Sequence, residues 1–271
     1  MRRLAFVRTP TGMLGLTLLV GVITIALLGP LFAPHPPDEP VGIPLVGPGD
    51  GLPFGTDFLG RDVLSRVLWG GRSVLLLAGL ATFLAYVVGG SAGLFAGYNR
   101  RVADGVLMRG ADVLLSMPPL ILLLVLVTGA GTSKAILVVG VALVQAPLIA
   151  RVVRAATLEQ SVRGFVEAAV ARGERTPAIL RREILPNIAG SVAADAGLRF
   201  TYSILLVASV NFLGLGLQPP AADWALIISE NRSGLDLNPY VILVPAALIA
   251  LLTIGLNLVG DSIARTLGRS G

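Results

Sequence analysis

The sequence predicts an all-α integral membrane protein with six transmembrane helices, and two features lead to that class. Apolar residues make up 54% of the 271 residues and charged residues 14%, whereas soluble globular chains contain roughly 45–50% and about 25%. Long apolar stretches also recur, and a helix needs about 20 such residues to cross a bilayer. Because the chain has no cysteine and one histidine, we expect no disulfide framework, thiolate metal site or imidazole cluster.

Six apolar stretches are predicted as spans, the third and fourth are the shortest of them, and Pro118-Pro119 is expected to kink the third. They cover residues 13–32, 73–95, 113–129, 135–149, 188–213 and 241–260. The first stretch follows three arginines, which is also typical of a secretory signal peptide. Its apolar part is too long for such a peptide and no clear small-residue cleavage site follows, so we interpret it as a retained signal-anchor helix.

The distribution of basic residues predicts that both termini lie in the cytoplasm. With that orientation, segments 1–12, 98–112, 151–187 and 261–271 contain 15 of the 21 Lys and Arg residues, and segments 33–72, 130–134 and 214–240 contain five. Arg199, inside the fifth span, is the remaining one. Loops that stay in the cytoplasm carry such an excess. The net charge of +5 therefore marks the cytoplasmic face, and we expect no nucleic-acid partner.

The long external segment 33–72 is predicted to have two parts. Its first half is rich in proline and glycine, which favours an extended loop with His35 in solvent. Residues 58–69 place apolar side chains at helical spacing, and Thr56 or Asp57 could cap them, so we expect a helix in the membrane interface. The predicted organisation is then residues 1–72 (tail, first span and this loop), 73–263 (transmembrane domain) and 264–271 (cytoplasmic tail).

The cytoplasmic segment 151–187 is predicted to form two short helices at an angle. The first covers residues 165–172 and ends where Gly173 can take the left-handed conformation of a helix C-terminus. The second begins with Thr176 as its N-cap and Pro177 as its first helical residue, and Pro186 ends it before the fifth span. Such a rigid elbow below the bilayer could dock into a groove of another protein.

The motifs of this elbow resemble a known family. Glu167-Ala168-Ala169, Gly173 and Leu185-Pro186 follow the spacing of the signature loop of binding-protein-dependent ABC importer permeases, and Asn187 extends the likeness to the peptide and nickel subgroup. Further stretches resemble the same subgroup in the same order along the chain. They lie at residues 55–66, 108–118 and 212–220.

The resemblance implies a fold, a function and a set of partners. It implies the type I ABC importer permease fold and a dipeptide permease of the C type in a bacterial cell membrane, although nickel, oligopeptide and glutathione importers resemble it too. The implied partners are a homologous second permease, two ABC ATPases that bind ATP and Mg, and an extracytoplasmic substrate-binding protein or lipoprotein that delivers the peptide. The residues implied in ATPase coupling are Glu167, Ala168, Ala169, Gly173, Leu185, Pro186 and Asn187.

One feature of the sequence supports, independently of the resemblance, the expectation that this chain is a transport subunit and not an enzyme. The phosphate-binding loop of an ATPase needs G-x-x-x-x-G-K, and the only lysine, Lys134, follows a serine. We therefore expect no catalytic residue, no cofactor bound by this chain and no metal site.

Polar residues within the fifth span are candidates for the translocation path or its gate. Asp195 and Arg199 are spaced i, i+4, and charges inside a membrane usually face a bundle interior or water. Two interpretations of Asp195 and Arg199 remain open: an ion pair that orients the helix, or a lining of the gate. Tyr202, Ser209 and Asn211 are further candidates, although such residues often only bond neighbouring helices.

Two other classes of protein compete with the permease interpretation. One is an intramembrane serine protease, because Gly89-Gly90-Ser91-Ala92-Gly93 fits the G-x-S-x-G form of a nucleophile turn, but no base is predicted within reach of Ser91. Gly89, Gly93 and Gly97 also form a G-x-x-x-G repeat, which brings helices into close contact, and we favour that packing role. A channel or secondary transporter is the other alternative, but it needs no docking elbow and no inverted repeat is evident.

Overall fold

The computed structural model describes residues 9–99 and 102–268, and within these ranges every regular element is helical. The eleven α-helices of this part of the chain are α1 (Pro10–Leu28), α2 (Val63–Ala85), α3 (Ser91–Tyr98), α4 (Val102–Leu115), α5 (Pro119–Ala130), α6 (Lys134–Gln160), α7 (Gly164–Ala171), α8 (Thr176–Ile179), α9 (Leu185–Phe212), α10 (Trp224–Glu230) and α11 (Tyr240–Gly268). The arginines before the first span and residues 269–271 of the predicted C-terminal tail lie outside the described residues.

Helices long and apolar enough to cross a membrane number five within the described residues. They are Pro10–Leu31, Val63–Tyr98, Lys134–Gln160, Thr176–Phe212 and Tyr240–Ser262. A sixth crossing arises if α4 and α5 together count as one broken span. The predicted all-α class with six spans is confirmed when the broken pair is counted as one span, and the boundaries differ as described below.

The third span, predicted over residues 113–129 with a kink at Pro118-Pro119, is bent at that position so strongly that it forms two separate helices. The chain leaves the helical conformation after Leu115, and α4 and α5 meet at an angle of 88°. Pro118 and Pro119 cause the break, since proline has no N–H to donate and disfavours the helical conformation in the residue before it.

The interfacial helix predicted over residues 58–69, with Thr56 or Asp57 as its cap, is wrong. A helix begins only at Val63, where the Asp62 carboxylate accepts hydrogen bonds from two backbone N–H groups of the first turn. This is α2, which runs without interruption to Ala85 and forms the outer half of the second span. The boundary predicted at residue 72 therefore falls inside a helix.

The polar side chains of this segment face inward, and this explains the error. Asp57 Oδ2 accepts hydrogen bonds from Arg61 Nε and from Arg66 Nη1, both at 2.6 Å. Glu230 Oε2, at the end of α10, lies 3.2 Å from Arg61 Nη2 and 2.7 Å from Arg66 Nη1. All four side chains are buried, so the alternation of polar and apolar residues marks a protein interior and not a membrane surface.

Residues 33–62 and 213–239 fold together on the external side, and we call them the external cap. The Asn238 side-chain amide donates hydrogen bonds to the carbonyls of Val46, Phe54 and Thr56 at 2.9–3.1 Å. The indole of the buried Trp224 donates to the carbonyl of Val67 at 2.8 Å and so holds α10 against α2. His35, predicted to be in solvent, is half-buried with Nδ1 3.4 Å from Asp62 Oδ2.

Helix α1 lies at the edge of the bundle. It packs on α11 through Gly15, where an added Cβ would lie 2.7 Å from Leu258 Cβ. Most of its other side chains are exposed, and they would face lipid. Helices α2, α6 and α9 instead supply much of the interior, and they hold the candidate functional residues in place.

Candidate functional site

The cytoplasmic loop begins later than predicted, because α6 continues ten residues beyond the predicted loop start, to Gln160. Arginines on this extension pair with acids on α4, and the Nη2 of Arg154 lies 2.6 Å from Asp104 Oδ2. Arg151 forms a second, exposed pair with Asp112. These pairs stabilise a continuous helix where the sequence suggested a loop.

Helix α7 carries the Glu-Ala-Ala motif and agrees with the helix predicted over residues 165–172. Gly173 follows it with φ of +74°, the left-handed conformation predicted for that position, which glycine adopts without a steric penalty. Glu167 and Ala168 are exposed on α7. Ala169 is fully buried, so a partner protein could contact the first two residues of the motif but not the third.

The second arm of the elbow differs from its prediction in two ways. Arg175 is the N-cap of α8, so the helix begins at Thr176, one residue earlier than predicted, and Pro177 is its second residue. Pro186 does not end the helix either. A π turn over Leu180–Ile184 leads directly into α9, and the whole stretch Thr176–Phe212 forms one spanning helix.

The π turn explains how a helix can pass through proline. The N–H of Leu185 reaches the carbonyl of Leu180, so the wider turn shifts the hydrogen-bond pattern just before Pro186. Asn187 then donates from Nδ2 to the carbonyl of Glu183 at 2.6 Å. As a result, the Leu-Pro-Asn motif lies within the helix that connects the elbow to the membrane.

A buried apolar cluster joins the elbow to the spans. It includes Ala169 of α7, Ile184 of the π turn and Ile188 of α9, together with Ile149 and Val153 of α6. Because packed interiors transmit displacement and are poorly compressible, a force applied to α7 would reach both α6 and α9.

A second group of residues lies inside the membrane-spanning region, and we call it the polar seam. Tyr86 donates its hydroxyl hydrogen to Asp195 Oδ2 at 2.6 Å, and the Nε of Arg199 lies 3.2 Å from the same oxygen. Gln145 donates to the carbonyl of Arg199 at 3.1 Å. The seam joins α2, α6 and α9, and it comprises Thr82, Tyr86, Gln145, Asp195, Arg199 and Ser203.

The structure brings together only two of the five residues predicted for the translocation path. Asp195 and Arg199 form the expected pair in the seam. Tyr202 is exposed on the surface of α9, and Ser209 donates to the carbonyl of Leu205 in its own helix. Asn211 is fully buried. Sequence reasoning missed Tyr86 and Gln145, although a glutamine in the middle of a span was a signal that could have been used.

Asn211, near the end of α9, binds the external cap rather than the seam. Its amide donates to Asp223 Oδ1 at 2.9 Å, and its oxygen accepts the backbone N–H of Leu217. Burial raises the pKa of Asp223, while the hydrogen bonds from Ser73 and Asn211 act in the opposite direction. This part of the site fixes the end of α9 to the start of α10.

The three glycines of the G-x-x-x-G repeat all face α6. An added Cβ at Gly93 would lie 2.5 Å from the carbonyl oxygen of Ala150, one at Gly97 would lie 2.7 Å from Thr157 Cβ, and one at Gly89 would overlap the carbonyl of Ala146. Ser91 donates to the carbonyl of Val87 in the same helix turn. The only histidine of the chain, His35, lies in the external cap, so Ser91 has no imidazole base to activate it.

Comparison with known families decides among the remaining interpretations. Residues 89–270 match the family described as the binding-protein-dependent transport system inner membrane component, and residues 2–44 match the N-terminal transmembrane domain of oligopeptide transport permease C. The chain belongs to this permease family. The resemblance predicted from the signature motifs is therefore confirmed.

Curated relatives resemble the permease over most of its length. It is 36% identical to the glutathione transport system permease protein GsiD of Pectobacterium atrosepticum, over 80% of this chain and 72% of the relative. It is 32% identical to the dipeptide transport system permease protein DppC of Alkalihalophilus pseudofirmus, over 92% of this chain and 82% of the relative. A di/tripeptide transport system permease of Pseudomonas aeruginosa is 32% identical over 92% of this chain and 84% of the relative.

A solved structure of the MetNI methionine ABC transporter in an inward-facing conformation has the same fold. The similarity covers 74% of the permease and 95% of the solved chain, with a TM-score of 0.59 and 21% identity. The predicted type I ABC importer permease fold is thus confirmed. The permease is a multi-pass transport component of the bacterial inner membrane, and the ATPase of such importers is a separate subunit.

Proposed function

We propose that this permease imports peptides, and dipeptides in particular, as one of two homologous permease subunits of a single complex. The observation that carries this proposal is the 32–36% identity to relatives named as dipeptide, di/tripeptide and glutathione permeases. Glutathione is itself a small peptide, so these names share one chemical class of substrate. An importer of glutathione, oligopeptides or nickel is the alternative within the same subgroup.

The proposed complex contains partners that supply what this chain lacks. Two ABC ATPases bind ATP and Mg, and a substrate-binding protein delivers the peptide from outside. This chain contributes the membrane path and binds no cofactor. Transport follows from alternating access, because ATP binds the two states of the complex with different affinity and so shifts their populations.

We infer that α7 transmits the motion of an ATPase to the spans. Glu167 and Ala168 are exposed where a groove could receive them, and the exposed Val162 and Val170 add an apolar surface on the same side of the protein. Ala169 supports the helix from within through the buried cluster. The continuous helix Thr176–Phe212 then carries the displacement across the membrane.

This coupling role is tested by Gly173→Pro and Glu167→Lys. Proline requires φ near −65°, whereas Gly173 has φ of +74°, so the first variant displaces the end of α7. We expect both variants to insert and assemble, to hydrolyse ATP with their partners, and to lose most peptide uptake in proteoliposomes. Pro177→Ala, in the second arm, serves as a control, and normal uptake by both test variants would refute the coupling role.

The peptide substrate is tested in the same proteoliposomes. The complex with both permeases, both ATPases and the binding protein is expected to accumulate labelled dipeptide only when ATP is present on the ATPase side. Accumulation of nickel without any peptide uptake would replace this proposal by its alternative. ATP hydrolysis by the purified chain alone would contradict the assignment as a transport subunit.

We further propose that the polar seam gates the path near its cytoplasmic side. The support is the largely buried pair of Asp195 and Arg199, which the hydroxyl of Tyr86 connects to the π-helical turn Tyr86–Gly90 that follows α2. Tyr86→Phe removes one hydrogen bond to a carboxylate, worth about 1.5–3 kcal/mol. We expect a leak of dipeptide through the complex without ATP, and Tyr202→Phe, on the exposed surface of α9, is the matched control. A tight complex with normal uptake would rule out a gating role for Tyr86.

A further inference from the structure

Helices α4 and α6 line a cavity of about 470 Å³, and we call it the arginine cavity. Three guanidinium groups and two carboxylates line it, which leaves one net positive charge. Neither the coupling role of α7 nor the polar seam uses any of these side chains. They are Asp104, Arg109, Asp112, Arg151 and Arg154.

The arginine cavity lies at the level of the lipid headgroups. Helix α6 begins at Lys134, and a helix rises 1.5 Å per residue, so Arg151 and Arg154 lie about 26 Å and about 30 Å along it. The hydrocarbon core of a bilayer is also about 30 Å thick. With Lys134 at the external surface, as predicted, both arginines reach the cytoplasmic leaflet, where anionic lipids create a negative surface potential.

The carboxylates of the cavity do not occupy its three arginines equally. Arg154 binds Asp104 through Nε and Nη2, at 2.5 and 2.6 Å. Arg151 reaches Asp112 through Nη2 alone, at 2.5 Å, and both side chains of this pair are exposed. Arg109 is exposed and forms no ion pair among the side chains that the structure describes. Two arginines therefore have N–H donors to offer to a ligand.

The chemistry of these donors suits a phosphate group. Arginine presents its N–H groups in a planar fork that matches the oxygens of a phosphate. An exposed ion pair contributes little to stability, so Arg151 can exchange the Asp112 carboxylate for a ligand at small cost. Gly105 keeps the cavity open, because it lines the cavity and an added Cβ there meets nothing within 4 Å.

The outer face of α4 adds apolar surface beside Arg109. Val106 is 65% exposed and Val113 is 68% exposed. They precede and follow Arg109 by three and four residues, which places all three on one face of the helix. An arginine between apolar side chains is typical of a helix that contacts both headgroups and acyl chains. A small soluble anion would use only the arginines, whereas a lipid would use both kinds of surface.

We propose that the arginine cavity binds the phosphodiester headgroup of an anionic phospholipid from the cytoplasmic leaflet. Arg109 and Arg151 donate to the phosphate oxygens, and the acyl chains lie along Val106 and Val113. Arg154 stays on Asp104 and keeps α4 in position. The bound lipid joins α4 to α6 and so holds the broken span at the membrane surface. This inference does not depend on which substrate the permease transports.

The proposal is tested with the full complex in nanodiscs of phosphatidylcholine that contain increasing amounts of a photoactivatable phosphatidylglycerol. After illumination, mass spectrometry measures the fraction of residues 102–115 that carries lipid. The quantity compared is the mole fraction of phosphatidylglycerol that gives half-maximal labelling. For Arg109→Gln we expect it to rise about fivefold, the effect of one basic residue near an anionic surface.

Asp112→Asn is expected to have the opposite effect. It removes a carboxylate that competes for Arg151, so the half-maximal mole fraction should fall, and a variant that merely unfolds cannot produce this result. Arg163→Gln is the control for charge, because Arg163 is exposed on the predicted cytoplasmic side and does not line the cavity. We expect it to be labelled like the unmodified complex.

Gly105→Leu tests the space without changing any charge. Its side chain would fill the cavity, and we expect most of the labelling to be lost. Gly110→Leu is the matched control in the same helix, because Gly110 does not line the cavity and an added Cβ there also meets nothing within 4 Å. Labelling of this control should stay normal.

Four results would overturn the assignment. Labelling unchanged by both Arg109→Gln and Gly105→Leu would show that the lipid does not use the cavity. Equal labelling by a photoactivatable phosphatidylcholine would show that the anionic headgroup is not recognised. Displacement by millimolar inorganic phosphate would show a site for a free anion. Labelling of the isolated chain but not of the full complex would show that a partner subunit covers the cavity.

Discussion

The external cap and the cytoplasmic elbow use their charged residues in opposite ways. Where the cap meets α2, the side chains of Asp57 and Arg66 are both fully buried, and Asp57 Oδ2 lies 2.6 Å from Arg66 Nη1. In the elbow, Arg172 is 55% exposed and pairs with Glu174 at 2.7 Å and with Glu183 at 3.5 Å. Both regions contain ion pairs, but only those of the cap are removed from water.

This difference indicates what each region does. A buried charge without its partner is costly, so a buried network permits one arrangement of the chain and excludes others. An exposed pair adds little and can be exchanged for a contact with another protein. The cap is therefore built to keep its shape, whereas the charges of the elbow remain available to a partner.

The largest effect is expected where the buried network loses one member. Arg66→Met leaves the carboxylates of Asp57 and Glu230 short of a cation, and such a change costs about 3–5 kcal/mol. The free energy of unfolding, measured by titration with a denaturing detergent, should fall by that amount. Arg72→Met, about two turns further along α2 and half-buried, is the control, and equal stability of the two variants would contradict a large contribution from the buried network.

An intermediate effect is expected at the contact between α3 and α6. Gly93→Ala places a Cβ within 2.5 Å of the Ala150 carbonyl oxygen, and overpacking of this kind costs about 1–3 kcal/mol. The same detergent titration measures it. Gly21→Ala in α1 is the matched control, because an added Cβ there meets nothing within 4 Å. Stability unchanged by Gly93→Ala would show that the two helices separate easily.

The smallest effect is expected in the elbow itself. Arg172→Gln removes two exposed ion pairs, which together should contribute no more than about 1 kcal/mol to stability. Its unfolding free energy should therefore lie close to that of the unmodified chain. A loss as large as that of Arg66→Met would mean that the elbow is held as firmly as the cap.

The sequence was sufficient for features that depend on neighbouring residues. Apolar length predicted the membrane class, the basic residues predicted an orientation, and the break at Pro118-Pro119 follows from the chemistry of proline. The helix containing Glu167 and the left-handed Gly173 were predicted correctly for the same reason. The family was predicted from motifs at fixed spacing, and each of these motifs consists of residues that are close together in the sequence.

Tertiary structure decided the features that depend on distant residues. Arg66 and Glu230 are separated by 164 positions. When their contact is not known, the pattern of residues around Arg66 predicts an amphipathic helix at a surface. The link from Tyr86 to Asp195 and the passage of α9 through Pro186 likewise depend on what packs around them. The sequence determined that long apolar helices form and which motifs mark the family, because apolar length and motif spacing are local properties. Only the fold decided which charges are buried, because burial and pairing are set by elements that meet in space and not along the chain.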